Sequence, residues 1–190
     1  MTHNEKAPGE IQLVHNNPWE TLRQFTAARI ALGRTGSSLP TQELLRFGLA
    51  HAQARDAVHQ PFDSESLETE LQQLGLKTLT VASAAPDRAT YLCRPDLGRK
   101  LSEESRQSLQ SLTVKPSDVV LIVADGLSSK AVHRQAVPLI RALLPYLNTL
   151  ELTLGPVVLA HQSRVALGDD IAQVMNAKAV AILIGERPGL

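Results

Sequence analysis

Three loops of this chain carry residue types that bind polar ligands, and each loop directly follows an apolar segment. The loops are 125–128 (DGLS), 161–165 (HQSRV) and 185–189 (GERPG). Together they supply two carboxylates, two guanidinium groups, a histidine and hydroxyl groups, and their glycines let a ligand approach the backbone closely. Groups of these types, brought together at one point, would form a binding site for a polar ligand.

The same side chains also have a purely structural interpretation. Asp125 and Ser128 could cap a helix that follows them, and Arg164 or Arg187 could pair with a carboxylate. For any one residue the structural interpretation is the better one. For the three loops together we favour a binding site, because parallel strands bring the loops at their carboxyl ends to one edge of a sheet.

The apolar segments before these loops predict the strands that would position them. Three segments are typical of strands buried on both faces: 119–126 (VVLIVADG), 156–162 (PVVLAHQ) and 179–185 (AVAILIG). Between them the sequence predicts a helix over 129–147, kinked or restarted at Pro138, and a short helix that Asp169 caps and that ends at Met175. This alternation of strands and helices predicts a parallel sheet.

The residues before these segments predict a region of helices. Asn17 is a good N-cap, Pro18 suits the first helical position, and Gly33 is a suitable end. Further predicted elements are helices over 40–59, 64–74 and 102–112, a strand over 77–83 and an ordered loop over 85–99. The predicted fold class is therefore α/β, with a flexible tail at 1–18, a helical N-terminal region at 19–75 and an α/β domain with a mainly parallel sheet at 76–190.

The composition argues against several classes of function. The 19 basic and 19 acidic residues cancel without a basic cluster, and only six residues are aromatic, so binding of nucleic acid is not expected. Cys93 is the one cysteine, which excludes an intrachain disulfide or a thiolate metal cluster and fits a reducing cytosol. No stretch approaches the about 20 apolar residues of a membrane span, so we expect neither secretion nor membrane insertion.

Two other segments are rich in charged or metal-binding residue types. His51, Arg55 and His59 lie on one face of a predicted helix, but a metal site would need a ligand from elsewhere, so core or interface histidines are the better interpretation. The segment CRPDLGR (93–99) is either a salt-bridged loop or an anion or interface contact, and the sequence leaves both open. Standard catalytic and nucleotide-binding motifs are absent, so we assign no catalytic residue and no metal ligand. The chemistry would then belong to a cofactor or to a partner chain.

Six segments, in order along the chain, resemble one family. They are FTAARIALGRTGSSLPT, HAQARDAVH, RPDLGR, VADGLS, RVALGDDIA and LIGERPGL. From about Trp19 to Leu190 the chain is similar to the small (light) subunits of ethanolamine ammonia-lyase. The resemblance implies an adenosylcobalamin-dependent enzyme that converts ethanolamine to acetaldehyde and ammonia. In that family a large TIM-barrel subunit holds the substrate and most of the reactive groups, and a Rossmann-like small subunit covers the cobalamin at the subunit interface.

The resemblance also carries expectations about assembly and site residues. It implies a small subunit that is inactive alone, a higher hetero-oligomer with the large subunit, and a place in the bacterial cytoplasm within a protein-shelled microcompartment. The cofactor-contacting positions of the family fall on Val165 and Glu186. Members of the family continue beyond the ERPGL motif into a segment with a further cofactor-contacting cysteine, so the chain is expected to be C-terminally shortened. Cys93 lies in a different motif and does not take that role.

Two alternative functions differ in what they predict for the isolated chain. A free-standing α/β enzyme that binds a phosphorylated or nucleotide substrate would be active by itself. A non-catalytic assembly or targeting subunit, with residues 1–18 as a tag, would join a complex without touching the cofactor.

Overall fold

The computed structural model describes residues 14–15, 17–112 and 116–185. The chain divides into two compact units, with the boundary between Gln53 and Ala54. The domain limits predicted from sequence stay a prediction, and the two units are described separately below. Within the described residues no helix is both long and apolar enough to cross a membrane.

The second unit is built on a parallel sheet of four strands. The strands are β1 (Thr78–Ala82), β2 (Val119–Ala124), β3 (Val157–His161) and β4 (Ala179–Ile184). They lie in the order β1-β3-β2-β4, and every neighbouring pair is parallel. The predicted α/β class with a parallel sheet is confirmed. Because β2 lies between β3 and β4, the loop that leaves β2 lies between the loops that leave its two neighbours.

Helices cover both faces of this sheet. They are α2 (Ser64–Gln73), α4 (Glu103–Ser111), α5 (Ser129–Thr149) and α6 (Leu167–Met175), while the short helix α3 (Arg88–Cys93) follows β1 in the chain. Side chains alternate along a strand, so Val120, Ile122 and Ala124 of β2 pack with α4 and α6, whereas its other face packs with α2 and α5. All six residues of the VVLIVA strand therefore face a helical layer, which explains its unbroken apolar run.

Three local predictions in this unit need correction. The segment 85–99 is not simply a loop, since it contains α3 and a 3₁₀ helix at Leu97–Arg99. Both are too short to show a helical period, although the cap at Asp87 is regular. Asp169 does not cap α6, whose N-cap is Ala166. The helix predicted to kink or restart at Pro138 does not restart there, because it is one element from Ser129 to Thr149.

The first unit contains a 3₁₀ helix and most of α1 (Thr41–His59). The predicted cap is confirmed, because the Asn17 side chain accepts a hydrogen bond from the Trp19 N–H at 3.0 Å. The helix ends at Phe25, well before Gly33, and the segment between them includes Ala31 at a left-handed φ of +53°. Most large apolar side chains of this unit are exposed to solvent: Trp19, Leu22, Phe25, Leu39, Leu44, Leu45, Phe47 and Leu49.

Candidate functional site

The carboxyl edge of the sheet brings the loops after β2 and β3 together with the end of β4. The described part of this edge stops at Gly185, so Glu186, Arg187 and Gly189 lie outside the described residues. The described part of the site comprises the loops 125–128 and 161–165 and Gly185.

Asp125 is the centre of the hydrogen bonding at this edge. Its carboxylate is buried and accepts three backbone N–H groups, from Gly126 at 2.8 Å, Gln162 at 2.9 Å and Ser163 at 3.0 Å. Burial raises the pKa of the Asp125 carboxyl, and these N–H donors and the charge of Arg88 oppose that rise. Asp125 thus joins its own loop to the loop after β3, which is a different role from the helix cap considered above. Ser128 occupies the N-cap position of α5 without a side-chain capping bond.

Arg88 completes this network from the first turn of α3. Its Nη1 donates to the Asp125 carboxylate and to the Gln162 side-chain carbonyl, both at 3.3 Å, and its Nε donates to the Val58 carbonyl at 2.7 Å. The guanidinium also lies 4.7 Å from the centre of the Tyr91 ring. Arg88 could not be recognised from the sequence, because it lies 37 residues from Asp125 and in a segment with no period.

The loop after β3 is held in one conformation by several contacts. Gln162 has a left-handed φ of +52°, which is unfavourable for a residue with a side chain. Beyond it, the buried Tyr91 hydroxyl donates to the Ser163 carbonyl at 2.9 Å. The Arg164 guanidinium lies 4.2 Å from the centre of the Tyr91 ring, and the backbone N–H of Arg164 donates to the Gly98 carbonyl at 2.8 Å. Among the described residues, no carboxylate forms an ion pair with Arg164.

Val165 follows directly on this fixed loop and is 56% exposed. An apolar side chain held at the surface by a rigid backbone is available for packing against a ligand or another chain. The sequence-predicted position Val165 therefore lies at the carboxyl edge of the sheet, with its side chain accessible.

The end of β4 is joined to the loop after β2 by close backbone packing. The Leu127 N–H donates to the Gly185 carbonyl at 2.6 Å. A Cβ atom placed on Gly126 would overlap that same carbonyl, and one placed on Gly185 would overlap the Ser128 carbonyl. Both positions therefore need glycine, and the backbone is fixed as far as the residue before Glu186.

His161 belongs to the support of this edge rather than to its accessible surface. Its Nε2 lies 2.9 Å from the Ser64 hydroxyl, and the Phe62 ring packs edge-on against it at 5.0 Å. Burial lowers the pKa of His161, with the Asp125 charge opposing that effect, so the neutral imidazole is favoured.

The other segments singled out in the sequence lie away from this network. His51, Arg55 and His59 are exposed on α1, and within the described residues no group of three His, Cys, Asp or Glu side chains could hold a metal ion. Arg94 and Asp96 form an exposed two-point ion pair, with Nε and Nη2 at 3.0 and 2.8 Å from the carboxylate oxygens. The interpretation of 93–99 as a salt-bridged loop is confirmed for that pair.

Comparison with known proteins identifies close relatives. The family model "Ethanolamine ammonia-lyase light chain (EutC)" matches residues 16–190. The chain is 52% identical over 189 residues to the ethanolamine ammonia-lyase small subunit of Pseudomonas fluorescens strain Pf0-1, covering 98% of this chain and 68% of the relative. It is 51% identical over 177 residues to the small subunit of Pseudomonas syringae pv. tomato strain DC3000, covering 92% and 62%. It is 50% identical over 177 residues to that of Azotobacter vinelandii strain DJ, covering 92% and 66%. The chain thus spans about two thirds of the length of these relatives.

Proposed function

This chain belongs to the ethanolamine ammonia-lyase light chain family, and from that membership we propose that it is the small subunit of an adenosylcobalamin-dependent ethanolamine ammonia-lyase. The enzyme would convert ethanolamine to acetaldehyde and ammonia. The observation that carries the proposal is the identity of about one residue in two with ethanolamine ammonia-lyase small subunits over nearly the whole chain. The range matched by the family model, residues 16–190, includes the segments that form the carboxyl edge of the sheet.

The carboxyl edge is the part of this chain that would hold the cobalamin. The periphery of a corrin ring carries methyl groups and amide side chains, so it needs both apolar packing and hydrogen-bond partners. The exposed Val165 offers apolar packing, and the carboxylate of Glu186 would accept hydrogen bonds from the amides. The Asp125 carboxylate and the N–H groups of Gln162 and Ser163 already bind one another, so the backbone leading to Val165 is fixed before a large ligand arrives.

The cofactor itself would supply the radical chemistry, through homolysis of its cobalt–carbon bond. This chain's residues would bind and orient the cobalamin and exclude water from one side of it. We assign no catalytic residue to this chain, and we propose that it is inactive without its partner.

The first unit offers the surface for a large subunit. Trp19 is 65% exposed, Phe25 is 79% exposed, and Leu45 and Phe47 of α1 are also exposed. Aromatic and apolar side chains are enriched in the centres of protein interfaces. We propose that a large subunit covers these side chains in a hetero-oligomer, and that the assembly lies in the bacterial cytoplasm within a microcompartment.

Co-purification with the cognate large subunit tests this function. The two chains are produced together, and the visible spectrum of bound cobalamin is recorded for the complex and for each chain alone. We expect cobalamin to be retained tightly only by the complex. Deamination of ethanolamine should likewise require both chains. Activity of this chain alone would favour a free-standing enzyme. A complex that binds cobalamin with the same affinity as the large subunit alone would favour an assembly subunit.

Substitution of Glu186 tests the cofactor edge. Glu186→Gln keeps the size of the side chain but removes the charge, so the dissociation constant for cobalamin should rise about tenfold, as for loss of one charge-assisted hydrogen bond. Glu70→Gln, at an exposed position on α2, is the matched control and should leave cobalamin binding unchanged. Equal cobalamin affinity in both variants would remove Glu186 from the site.

A further inference from the structure

The loop after β2 contacts both of its neighbours at the carboxyl edge. It reaches the loop after β3 through the Asp125 carboxylate, and it reaches the end of β4 through the bond from Leu127 to Gly185. The strand order explains this arrangement, because β2 lies between β3 and β4. The loop 125–128 is therefore the structural link between the position of Val165 and the residue before Glu186.

The loop after β3 depends on this link for its conformation. Gln162 is held at a left-handed φ of +52° by an Asp125 bond to its N–H and an Arg88 bond to its side-chain carbonyl. Without these two bonds an extended backbone would be favoured at Gln162. Such a change would move Val165, which lies three residues further along the chain.

Burying the charged Asp125 carboxylate between the two loops carries a desolvation cost. Asp125 is only 3% exposed, and removing a charged group from water costs several kcal/mol unless it is fully paired. Hydrogen bonds from backbone N–H groups of the two loops and from one guanidinium offset this desolvation cost. The bonds thus fix loop geometry at the ligand-binding edge.

We propose that Asp125 and Arg88 are positioning residues for cobalamin, acting through Gln162 on Val165, while the loop 125–128 holds the end of β4 at Gly185. This inference rests on the proposed function. Neither side chain needs to touch the cofactor, because both hold the backbone that presents Val165 to it.

The test is Asp125→Asn in the complex of this chain with its large subunit. Asparagine has the same shape, but an NH2 group replaces one of the two carboxylate oxygens. A backbone N–H that donates to that oxygen would then face another donor. We expect the dissociation constant for cobalamin to rise about tenfold or more, with the KM for ethanolamine at saturating cobalamin unchanged. Substitution of a residue that only stabilised the fold would lower the melting temperature. It would not raise the dissociation constant for cobalamin while leaving the KM for ethanolamine unchanged.

Asp118→Asn is the matched control at the opposite edge of the sheet. Asp118 accepts from the Thr153 N–H at 2.8 Å and from Lys178 Nζ at 2.6 Å, so it also joins segments that precede neighbouring strands. This variant should lose stability while binding cobalamin as the unsubstituted complex does. Arg88→Lys is a milder second variant. It keeps the charge, but an ammonium group cannot donate to Asp125, Gln162 and Val58 with the geometry of a guanidinium, so cobalamin binding should weaken by a smaller factor.

The outcomes separate this inference from the proposed function. Cobalamin affinity within twofold of the unsubstituted complex in both Asp125→Asn and Arg88→Lys would overturn it. Failure of both variants to join the large subunit would also overturn the inference, because Asp125 and Arg88 would then act in assembly rather than in cobalamin binding. If the unsubstituted complex held cobalamin no better than the large subunit alone, the proposed function itself would be wrong.

Discussion

Gly126 gives the sharpest test of how the loops at the carboxyl edge are packed. Its φ is +55°, and a Cβ atom there would overlap the Gly185 carbonyl and come within 2.6 Å of the Ile184 side chain. Gly75, at the end of α2, also has a left-handed φ, +76°, but a Cβ atom there would meet nothing within 4 Å. The two glycines therefore differ in crowding while sharing the backbone conformation.

The cost of Gly126→Ala can be worked from these two features. The left-handed backbone costs alanine about 1–2 kcal/mol, partly offset by the smaller entropy of its unfolded chain, so Gly75→Ala should lower the free energy of unfolding by about 1 kcal/mol. In Gly126→Ala the overlap adds about 1–3 kcal/mol, because the Gly185 backbone must move and its bond to Leu127 weakens. The expected total for Gly126→Ala is about 2–4 kcal/mol.

Urea unfolding followed by far-ultraviolet circular dichroism measures both variants. Gly48→Ala completes the series, since Gly48 lies inside α1 with nothing within 4 Å of its added Cβ, and it should raise helix stability by up to about 1 kcal/mol. If Gly126→Ala cost no more than Gly75→Ala, the close packing of the loop 125–128 against Gly185 would be refuted.

Two further predictions concern the bonds that support the fold. Hydrogen bonds from Lys178 and Thr153 hold the pKa of Asp118 well below its usual value, so its contribution to stability is present above the ordinary pKa near 3.8 and is lost as the pH falls toward the folded value. The stability difference between the unsubstituted chain and Asp118→Asn should therefore be constant from pH 5 to 7 and shrink below about pH 4, as measured by urea unfolding across pH; a difference that grew on acidification would contradict the assignment. Tyr91→Phe removes the donor to the buried Ser163 carbonyl and should lower the free energy of unfolding by about 1–2 kcal/mol, as measured by the same method, whereas no loss would show that this carbonyl finds another donor.

The sequence allowed the sheet and the loops at its carboxyl edge to be predicted. Uninterrupted apolar runs such as VVLIVA reflect burial on both faces, and they alternate with helical segments, so the parallel pairing and the loops at one edge follow from local patterns. Glycines near the strand ends, such as Gly126 and Gly185, indicate points where another group can approach the backbone closely. Here they bring two backbone segments together.

The network around Asp125 could not be predicted in the same way. Its carboxylate looked like a helix cap because the next helix begins four residues later, whereas its partners Gln162, Ser163 and Arg88 are 37 or 38 residues away in sequence. Contacts of that separation depend on strand order, which local periodicity does not determine. Arg88 was missed for the further reason that α3 has only six residues, too few to show a repeating face.

The position of the single tryptophan gives this chain two separate optical reporters. Trp19 is exposed in the first unit, while the two tyrosines, Tyr91 and Tyr146, belong to the second unit. Burial of Trp19 by a large subunit would shift its fluorescence emission to shorter wavelength. Tyrosine absorption would meanwhile follow the packing of Tyr91 between the loops of the sheet. Association at the first unit and packing at the carboxyl edge of the sheet would thus be followed in one sample, at different wavelengths and without an added dye.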